Sequence, residues 1–307
     1  MSEIYDLAIL GAGPAGISAA IYAARAQLNT LWVEKKFAQG GQIVDTYEVD
    51  NYPGMPGISG MDLGEAFGAH ARKLGLEPQR EKILSLENIS GEIKTIRTKK
   101  HEYQAKALIL AFGAEHRKLD IPGEDDLSGL GVSYCATCDG AFFKDKNVAV
   151  VGGGNTALDD ALVLSFTSKK VYLIHRSDTF SGEKRLLEKL QEHDNVVFIL
   201  DSEVTAINGS ERLESLGIRN KVSGEEQTLD VDAVFIAIGH VPDNKAFASL
   251  VELDAYGYIK TDENCATSCP GIYAAGDGRV KKVRQLTTAA ADGTEAALAA
   301  CDYIDLL

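Results

Sequence analysis

The chain carries one supersecondary unit twice, and that repetition limits its fold more than any other feature. Near the start, the apolar run Tyr5-Asp6-Leu7-Ala8-Ile9-Leu10 leads into Gly11-Ala12-Gly13-Pro14-Ala15-Gly16. A helical stretch of small residues follows to about Ala26, then a second apolar strand from Leu31 to Glu34. Further on, Val148-Ala149-Val150-Val151 leads into Gly152-Gly153-Gly154-Asn155-Thr156-Ala157, a helix to about Leu164 and a strand from Lys170 to His175. Each is strand, glycine turn, helix, strand, which is half of a doubly wound α/β fold. Both units also close alike, on Ala107-Leu108-Ile109-Leu110-Ala111-Phe112-Gly113 and Ala233-Val234-Phe235-Ile236-Ala237-Ile238-Gly239. A terminal glycine there marks a sharp turn or a close backbone approach.

A third strand of this kind, Gly271-Ile272-Tyr273-Ala274-Ala275-Gly276-Asp277, has no glycine-rich opening of its own. An alanine-rich helix from about Thr287 to Ile304 follows it. The simplest architecture returns this tail to the first unit. The expected fold class is therefore α/β, with two Rossmann-like, three-layer dinucleotide-binding domains, the second inserted into the first. The expected boundaries are 1–114 with 243–307 for the first domain and 115–242 for the insertion. A length of 307 residues accommodates two domains, at about 150 residues each.

The glycine turns carry a physical requirement. The first glycine permits the tight turn, the second lets backbone approach a pyrophosphate, and the third lets helix pack on strand. The helix N-terminus then faces the phosphates. Gly11, Gly13 and Gly16 meet all three conditions, and Glu34 ends the second strand where a carboxylate can take ribose hydroxyls. The second unit reads Gly152, Gly154 and Ala157, and its second strand ends in His175-Arg176 with no acid at the ribose position. An arginine there suits a 2′-phosphate, because its planar fork bonds phosphate bidentately. It is also compatible with a plain surface arginine at a strand end.

Five cysteines are present, and only Cys135-Ala136-Thr137-Cys138 has the two-residue spacing of a redox pair. Only a thiolate attacks a disulfide or a flavin carbon, so such a pair needs a proton donor and acceptor nearby. Asp139 directly follows Cys138 and can supply that function. Zinc competes for this spacing but needs a second pair or histidines at ligand distance. Cys265 and Cys269 have three residues between them in an extended segment, and with Cys301 they read as ordinary thiols. No metal site is expected.

Lys plus Arg number 31 against 45 Asp plus Glu, a net charge of -14. That balance excludes general nucleic-acid binding, which needs a basic face. No apolar run reaches the roughly 18 residues of a membrane span. The acidic opening Met1-Ser2-Glu3-Ile4-Tyr5-Asp6 has no basic export-signal region, so a cytoplasmic location is expected.

Taken together, these motifs resemble those of the low-molecular-weight, bacterial-type thioredoxin reductases, over nearly the whole chain. The signs are the Gly11–Gly16 turn, Gly40-Gly41-Gln42, Asn51-Tyr52-Pro53-Gly54, Cys135-Ala136-Thr137-Cys138-Asp139, the Gly152–Ala157 turn and Gly276-Asp277. The resemblance implies that Gly11, Gly13, Pro14, Ala15, Gly16, Glu34 and Lys35 hold the pyrophosphate and adenosine ribose of FAD. It places Gly40, Gly41, Gln42 and Asn51 along the flavin side, Gly113, Gly276 and Asp277 by the ribityl and phosphate region, and Arg284 and Gln285 near the isoalloxazine ring. Gly152, Gly154, Asn155, Thr156, His175 and Arg176 become the site for NADPH, or for NADH. Cys138 becomes the sulfur that meets the flavin, Cys135 the one that attacks the partner disulfide, and Asp139 the acid. The resemblance further implies a thioredoxin or thioredoxin-like partner, a homodimer, and a swing of the inserted domain between the two half-reactions.

One departure stands out. The family pattern after the second strand is His-Arg-Arg with a further Arg four residues on, whereas here Ser177 and Ser181 occupy the last two arginine positions. Each loses a charge-assisted bond worth ~1.5–3 kcal/mol. The expected preference for NADPH over NADH is correspondingly weak, unless Lys184 or Arg185 compensates, and a ferredoxin-type donor remains an alternative. A redox sensor without turnover is the remaining reading.

Overall fold

The computed structural model describes residues 3–46, 49–242, 244 and 247–307. The expected re-entry point at residue 243 lies outside the described residues, as do the first two residues of the chain. Two compact units emerge, Met1–Glu115 with Val241–Leu307, and His116–His240.

The first unit opens on β1 (Ile4–Leu10), α1 (Pro14–Arg25) and β2 (Thr30–Glu34). It continues through α2 (Gly60–Lys73), β3 (Gln79–Arg80), β4 (Ile83–Glu87), β5 (Lys94–Thr98) and β6 (Glu102–Leu110). The connecting strand β7 covers Ala114–His116. In the second unit come β8 (Val132–Ser133), α3 (Ala136–Asp139), β9 (Asn147–Val151), α4 (Asn155–Ser165), β10 (Lys170–Ile174), α5 (Lys184–Gln191) and β11 (Val196–Ile199). The antiparallel strands β12 (Ser202–Gly209), β13 (Leu213–Asn220) and β14 (Glu226–Asp230) precede β15 (Ala233–Ile236). The chain returns through β16 (His240–Pro242), and β17 (Ile272–Ala274) and α6 (Leu286–Asp305) complete the first unit.

The first unit is built on a seven-stranded sheet ordered β3-β2-β1-β6-β5-β4, with β17 paired to β6. β1, β2, β6 and β17 run parallel, so their carboxyl ends gather at one edge. Alternation along the strands sends side chains to opposite faces. Leu7, Ile9, Trp32 and Ile109 meet α1 and α6, whereas Ala8, Leu10, Leu31 and Leu108 meet Phe247, Val251 and Ile259. Small residues let the two helices come close: a Cβ on Gly293 would lie 2.0 Å from the Ala15 carbonyl oxygen. The Ser18 and Thr294 hydroxyls hydrogen-bond at 2.9 Å in the same seam.

The second unit has a five-stranded parallel sheet ordered β11-β10-β9-β15-β8. One face, with Val148, Val150, Leu173 and Phe235, packs on Leu158, Leu164, Leu186 and Leu190 of α4 and α5. The other face, with Ala149, Val151, Val234 and Ile236, packs on Val204, Ile207, Leu216 and Ile218. The third layer is therefore the antiparallel sheet β12-β13-β14 rather than a helix. Sequence periodicity does not announce it, because the β12–β13 pairing shifts register between Val204 and Ala206 and again at Gly209.

The expected ends of α1, α4 and α6 shift by one residue. One local expectation fails: Cys265 is not extended but left-handed, with φ 63°. Asp262 causes this. Its carbonyl accepts the Cys265 N–H at 3.3 Å and its carboxylate accepts the Ala266 N–H at 2.8 Å, closing a tight turn. Among the described residues, no helix is long and apolar enough to cross a membrane.

Candidate active site and nucleotide clefts

At the carboxyl edge of the first sheet, β1 passes directly into α1 through Gly11 and Gly13. Gly11 has φ +117°, and a Cβ there would lie 2.3 Å from the Ala111 oxygen. A Cβ on Gly16 would lie 2.0 Å from the Gly11 oxygen. Packing alone demands these two glycines. Gly13 differs. Its φ of -76° suits any residue, and an added Cβ would meet only the Gly41 Cα, at 3.8 Å. The protein itself gives no reason for glycine at 13, so the open space over the α1 N-terminus fits an incoming phosphate.

Several distant segments converge on that turn. Gly40 donates its N–H to the Ala12 oxygen at 2.8 Å. A Cβ on Gly41 would lie 3.0 Å from the Gly13 Cα, and one on Gly276 3.0 Å from the Ala15 Cβ. Gln42 lies in the short 3-10 turn Gly41–Asp45. Glu34 Oε2 accepts the Ala12 N–H at 2.6 Å and Oε1 the Lys36 N–H at 2.7 Å, which ties the end of β2 to the glycine turn. Lys35 pairs with Glu115 at 3.9 Å, with both side chains well exposed, so its ammonium is turned to a neighbouring acid.

Asp277 follows Gly276, whose φ is +80°. The Asp277 Oδ1 is buried without a hydrogen-bond partner, and burial raises its carboxyl above the usual range. A buried acceptor left unpaired is costly, so this atom fits a ligand hydroxyl. Arg284 lies over the Tyr258 ring at 4.2 Å and donates from Nε to the Asp277 backbone oxygen at 3.4 Å. Gln285 caps α6 through a capping box with Thr288, and its Oε1 accepts from Asn51 Nδ2 at 3.2 Å. Gly113 takes φ +71°, and Gly278 packs over it, with a Cβ there 3.1 Å from the Gly113 oxygen. Apart from Lys35, the first-unit residues expected at a dinucleotide converge around the Gly11–Gly16 turn and the Gly276-Asp277 strand end.

Sequence reasoning did not find what holds the Gly276-Asp277 turn. Asp292 accepts the Gly276 N–H at 3.0 Å and pairs with Arg279 at 2.8 Å and Lys281 at 2.7 Å, all three side chains nearly buried. Arg279 and Lys281 follow the turn and Asp292 lies on α6, so the cluster forms only when the helix folds back on the turn.

The second unit repeats the arrangement. Gly152 has φ +152°, and a Cβ there would lie 2.4 Å from the Ala237 oxygen. Gly154, like Gly13, is open: its φ is -93° and the nearest neighbour of a Cβ would be Ser181 Oγ, at 3.9 Å. Asn155 and Thr156 begin α4. Asn155 Oδ1 accepts the Glu183 N–H at 2.7 Å, and Ser181 donates from both its N–H and hydroxyl to the Gly153 oxygen, at 2.9 and 3.1 Å. The His175 ring stacks on Phe180 at 5.1 Å and fills the space beside Gly153. Its burial lowers its proton affinity. Arg176 is exposed just past the strand end.

Cys135 and Cys138 are joined as a disulfide, with Cα atoms 5.3 Å apart. Cys135 caps the short helix α3, and its carbonyl accepts the N–H groups of Cys138 and Asp139 at 3.2 and 3.1 Å. Asp139 is largely buried beside the pair, and desolvation raises its carboxyl above the ordinary carboxylate range. Ser133, at the end of β8, donates its hydroxyl to Asp139 Oδ2 at 2.6 Å. The remaining cysteines are unpaired, and burial pushes Cys265 up to about 11, which keeps it a thiol. Among the described residues no group of three or more His, Cys, Asp or Glu could hold a metal ion.

Two dinucleotide folds, one carrying a disulfide beside a buried acid, define a class. The family described as pyridine nucleotide-disulphide oxidoreductase matches residues 5–293, and the chain belongs to it. Several of its relatives within that family are thioredoxin reductases. That of Listeria innocua is 45% identical over 307 residues, covering 99% of this chain and 95% of the relative. The solved thioredoxin reductase of Streptococcus pyogenes is 39% identical with a TM-score of 0.94 over the full length of both chains. A ferredoxin-flavin thioredoxin reductase from Clostridium acetobutylicum is 30% identical, with a TM-score of 0.55 over the full length of both chains.

Proposed function

We propose that this chain is a thioredoxin-disulfide reductase, which takes electrons from a nicotinamide dinucleotide through FAD and the Cys135/Cys138 pair to a thioredoxin-type disulfide. The observation that carries this reading is the closed disulfide on α3 with the largely buried Asp139 next to it, in the unit that repeats the glycine turn. The first unit, 1–114 with 243–307 by sequence, is read as the FAD domain, and the insertion as the nicotinamide domain.

FAD supplies a two-electron carrier between a hydride donor and a disulfide. Gly13 keeps the α1 N-terminus open to its pyrophosphate, and Glu34 offers acceptors for the adenosine ribose. Asp277 Oδ1, buried without a partner, would accept from a hydroxyl of bound FAD. Asn51, Gln285 and Arg284 shape the flavin end. Gly154, Asn155 and Thr156 hold the nicotinamide nucleotide, with Arg176 as the one basic group just past β10. Cys138 would receive the electron pair from bound FAD, Cys135 would attack the partner disulfide, and Asp139 would move the proton that thiol chemistry requires. A thioredoxin-like partner, a homodimer and a cytoplasmic location complete the reading. The reducing cytoplasm suits a dithiol that must be regenerated repeatedly.

The donor is the finer question. Ser177 and Ser181 favour NADH being used alongside NADPH, and they keep a ferredoxin-type donor as a second reading. The open Gly154 turn supports a nicotinamide. Anaerobic stopped-flow reduction of the flavin by NADPH, NADH and reduced ferredoxin in parallel tests this, followed by reduction of oxidised thioredoxin. Rapid bleaching by a nicotinamide is expected. Cys138→Ser should keep its FAD and lose thioredoxin reduction; retained turnover would remove the pair from the mechanism.

A further inference from the structure

Ser133 touches both partners of the proposed chemistry, and nothing in the motif marks it out. β8 pairs in parallel with β15, placing Ser133 opposite Phe235 and burying its side chain. From there the hydroxyl donates to Asp139 Oδ2 at 2.6 Å and accepts the Cys135 N–H at 3.1 Å. It also lies 3.5 Å from the Cys135 carbonyl oxygen. Asp139 in turn donates its N–H to that same carbonyl, at 3.1 Å. Ser133, Cys135 and Asp139 thus form one closed hydrogen-bonded ring.

We infer that Ser133 is a positioning residue, which fixes the Asp139 carboxyl against Cys135 and sets the pH at which that carboxyl can give up its proton. The inference rests on Asp139 being the acid of the proposed reductase. Opening the Cys135–Cys138 bond takes two electrons, which bound FAD would supply in its reduced form. One sulfur leaves as a thiolate, and the other takes the proton that the Asp139 carboxyl releases. The donor must therefore be protonated beforehand.

The balance at Asp139 is a simple one. Burial raises its proton affinity, and the Ser133 bond, which favours the carboxylate, opposes that rise. α4, packed against α3, carries Asp159 and Asp160, and Lys144 follows the Gly140–Phe143 turn. The buried Asp160 carboxyl is itself pushed up to about 7 by desolvation and Asp159. The Ser133 hydroxyl therefore holds the Asp139 value down against its burial.

The sign follows. In Ser133→Ala the carboxylate loses its donor, the Asp139 pKa climbs, and the protonated acid survives to higher pH. The alkaline limb of disulfide opening should move up by about one pH unit. Flavin content and the rate of flavin bleaching by nicotinamide should stay as in the parent. Ser133→Thr, which restores a hydroxyl, should return the limb.

The test reads two quantities on the intact FAD-loaded protein. One is the pH dependence of dithiol formation, followed by quenched thiol alkylation. The other is a direct titration of the Asp139 carboxyl by carbon-13 NMR with the disulfide closed. Both shifting upward in Ser133→Ala, with recovery in Ser133→Thr, is the expected result. An unmoved Asp139 titration overturns the inference about Ser133. A titration that moves beside a limb that does not removes Asp139 as the acid, and the positioning role of Ser133 in the reaction falls with it. The two failures are thereby told apart.

Discussion

Asn51 and Gln285, separated by 234 positions in the chain, meet at 3.2 Å, the Asn51 amide donating to the Gln285 side-chain oxygen. Gln285 also caps α6, so one residue ties a surface loop to the start of the longest helix. If both amides face the flavin end, their contributions to cofactor retention should not add. Asn51→Ala and Gln285→Ala are each expected to weaken FAD binding, and the double variant should be weaker than either by less than the sum. A coupling of about 0.5–1 kcal/mol is expected. The measurement is an FAD dissociation constant for each of the four proteins; strict additivity would separate the two residues.

The second prediction concerns the donor. Ser177 occupies a position where the resembling family has an arginine. Ser181 has already committed its hydroxyl to the Gly153 oxygen. Ser177→Arg leaves that turn untouched and adds one charge-assisted phosphate contact, worth ~1.5–3 kcal/mol. The NADPH to NADH ratio of kcat/KM should rise by about 10- to 100-fold. An unchanged ratio would place recognition of the 2′-phosphate elsewhere.

How much of this could be read from sequence depends on the range of the physical cause. The glycine turns and the Cys135–Cys138 pair are legible because steric demand and sulfur spacing are local. The end of β2 at Glu34 is legible for the same reason. Asp292 is not, since its partners Gly276, Arg279 and Lys281 come to it through tertiary folding. Ser133 is silent too, because one hydroxyl at the end of a two-residue strand makes no pattern until α3 folds back over it. The antiparallel β12-β13-β14 layer is hidden by its bulges. Cys265 misled the reading, because the carboxylate that turns its backbone belongs to Asp262, three residues upstream.

A third prediction concerns acid stability. The His116 ring stacks on Tyr134 at 4.9 Å and lies 4.6 Å from the His240 ring. Burial, with a smaller part from His240, lowers its value from 6.5 to about 4. Protonation therefore favours the unfolded chain, which binds the proton near pH 6.5 while the folded chain resists it until about pH 4. Stability is lost as pH falls through that window. The loss amounts to about 2 kcal/mol by pH 5. His116→Phe keeps an aromatic ring on Tyr134 and cannot titrate. Its denaturation midpoint should change less between pH 7 and pH 5 than that of the parent. Equal losses in both proteins would assign the acid sensitivity to other groups.

The last prediction separates folding from ligand binding at the two glycine turns. Gly11, Gly16 and Gly152 are demanded by the protein, since a Cβ at each would strike backbone oxygen within 2.4 Å. Gly13 and Gly154 are demanded by nothing in the chain, having ordinary φ values and no neighbour closer than 3.8 Å to an added Cβ. Gly16→Ala should therefore fail to fold well. Gly13→Ala should fold with little loss, because alanine at a helix cap costs only about 1 kcal/mol relative to better caps. The new methyl group, however, occupies the approach to the α1 N-terminus. FAD affinity should fall by at least about tenfold, which is ~1.4 kcal/mol. In Gly154→Ala the same argument applies one unit later: FAD should stay bound, while bleaching by NADPH and NADH should slow by a similar factor. Thermal melts, flavin content and anaerobic bleaching rates on the three variants check the set. Undiminished FAD binding by Gly13→Ala would mean that the pyrophosphate does not sit on this turn, and the functional reading of the first unit would have to be rebuilt from Asp277 outward.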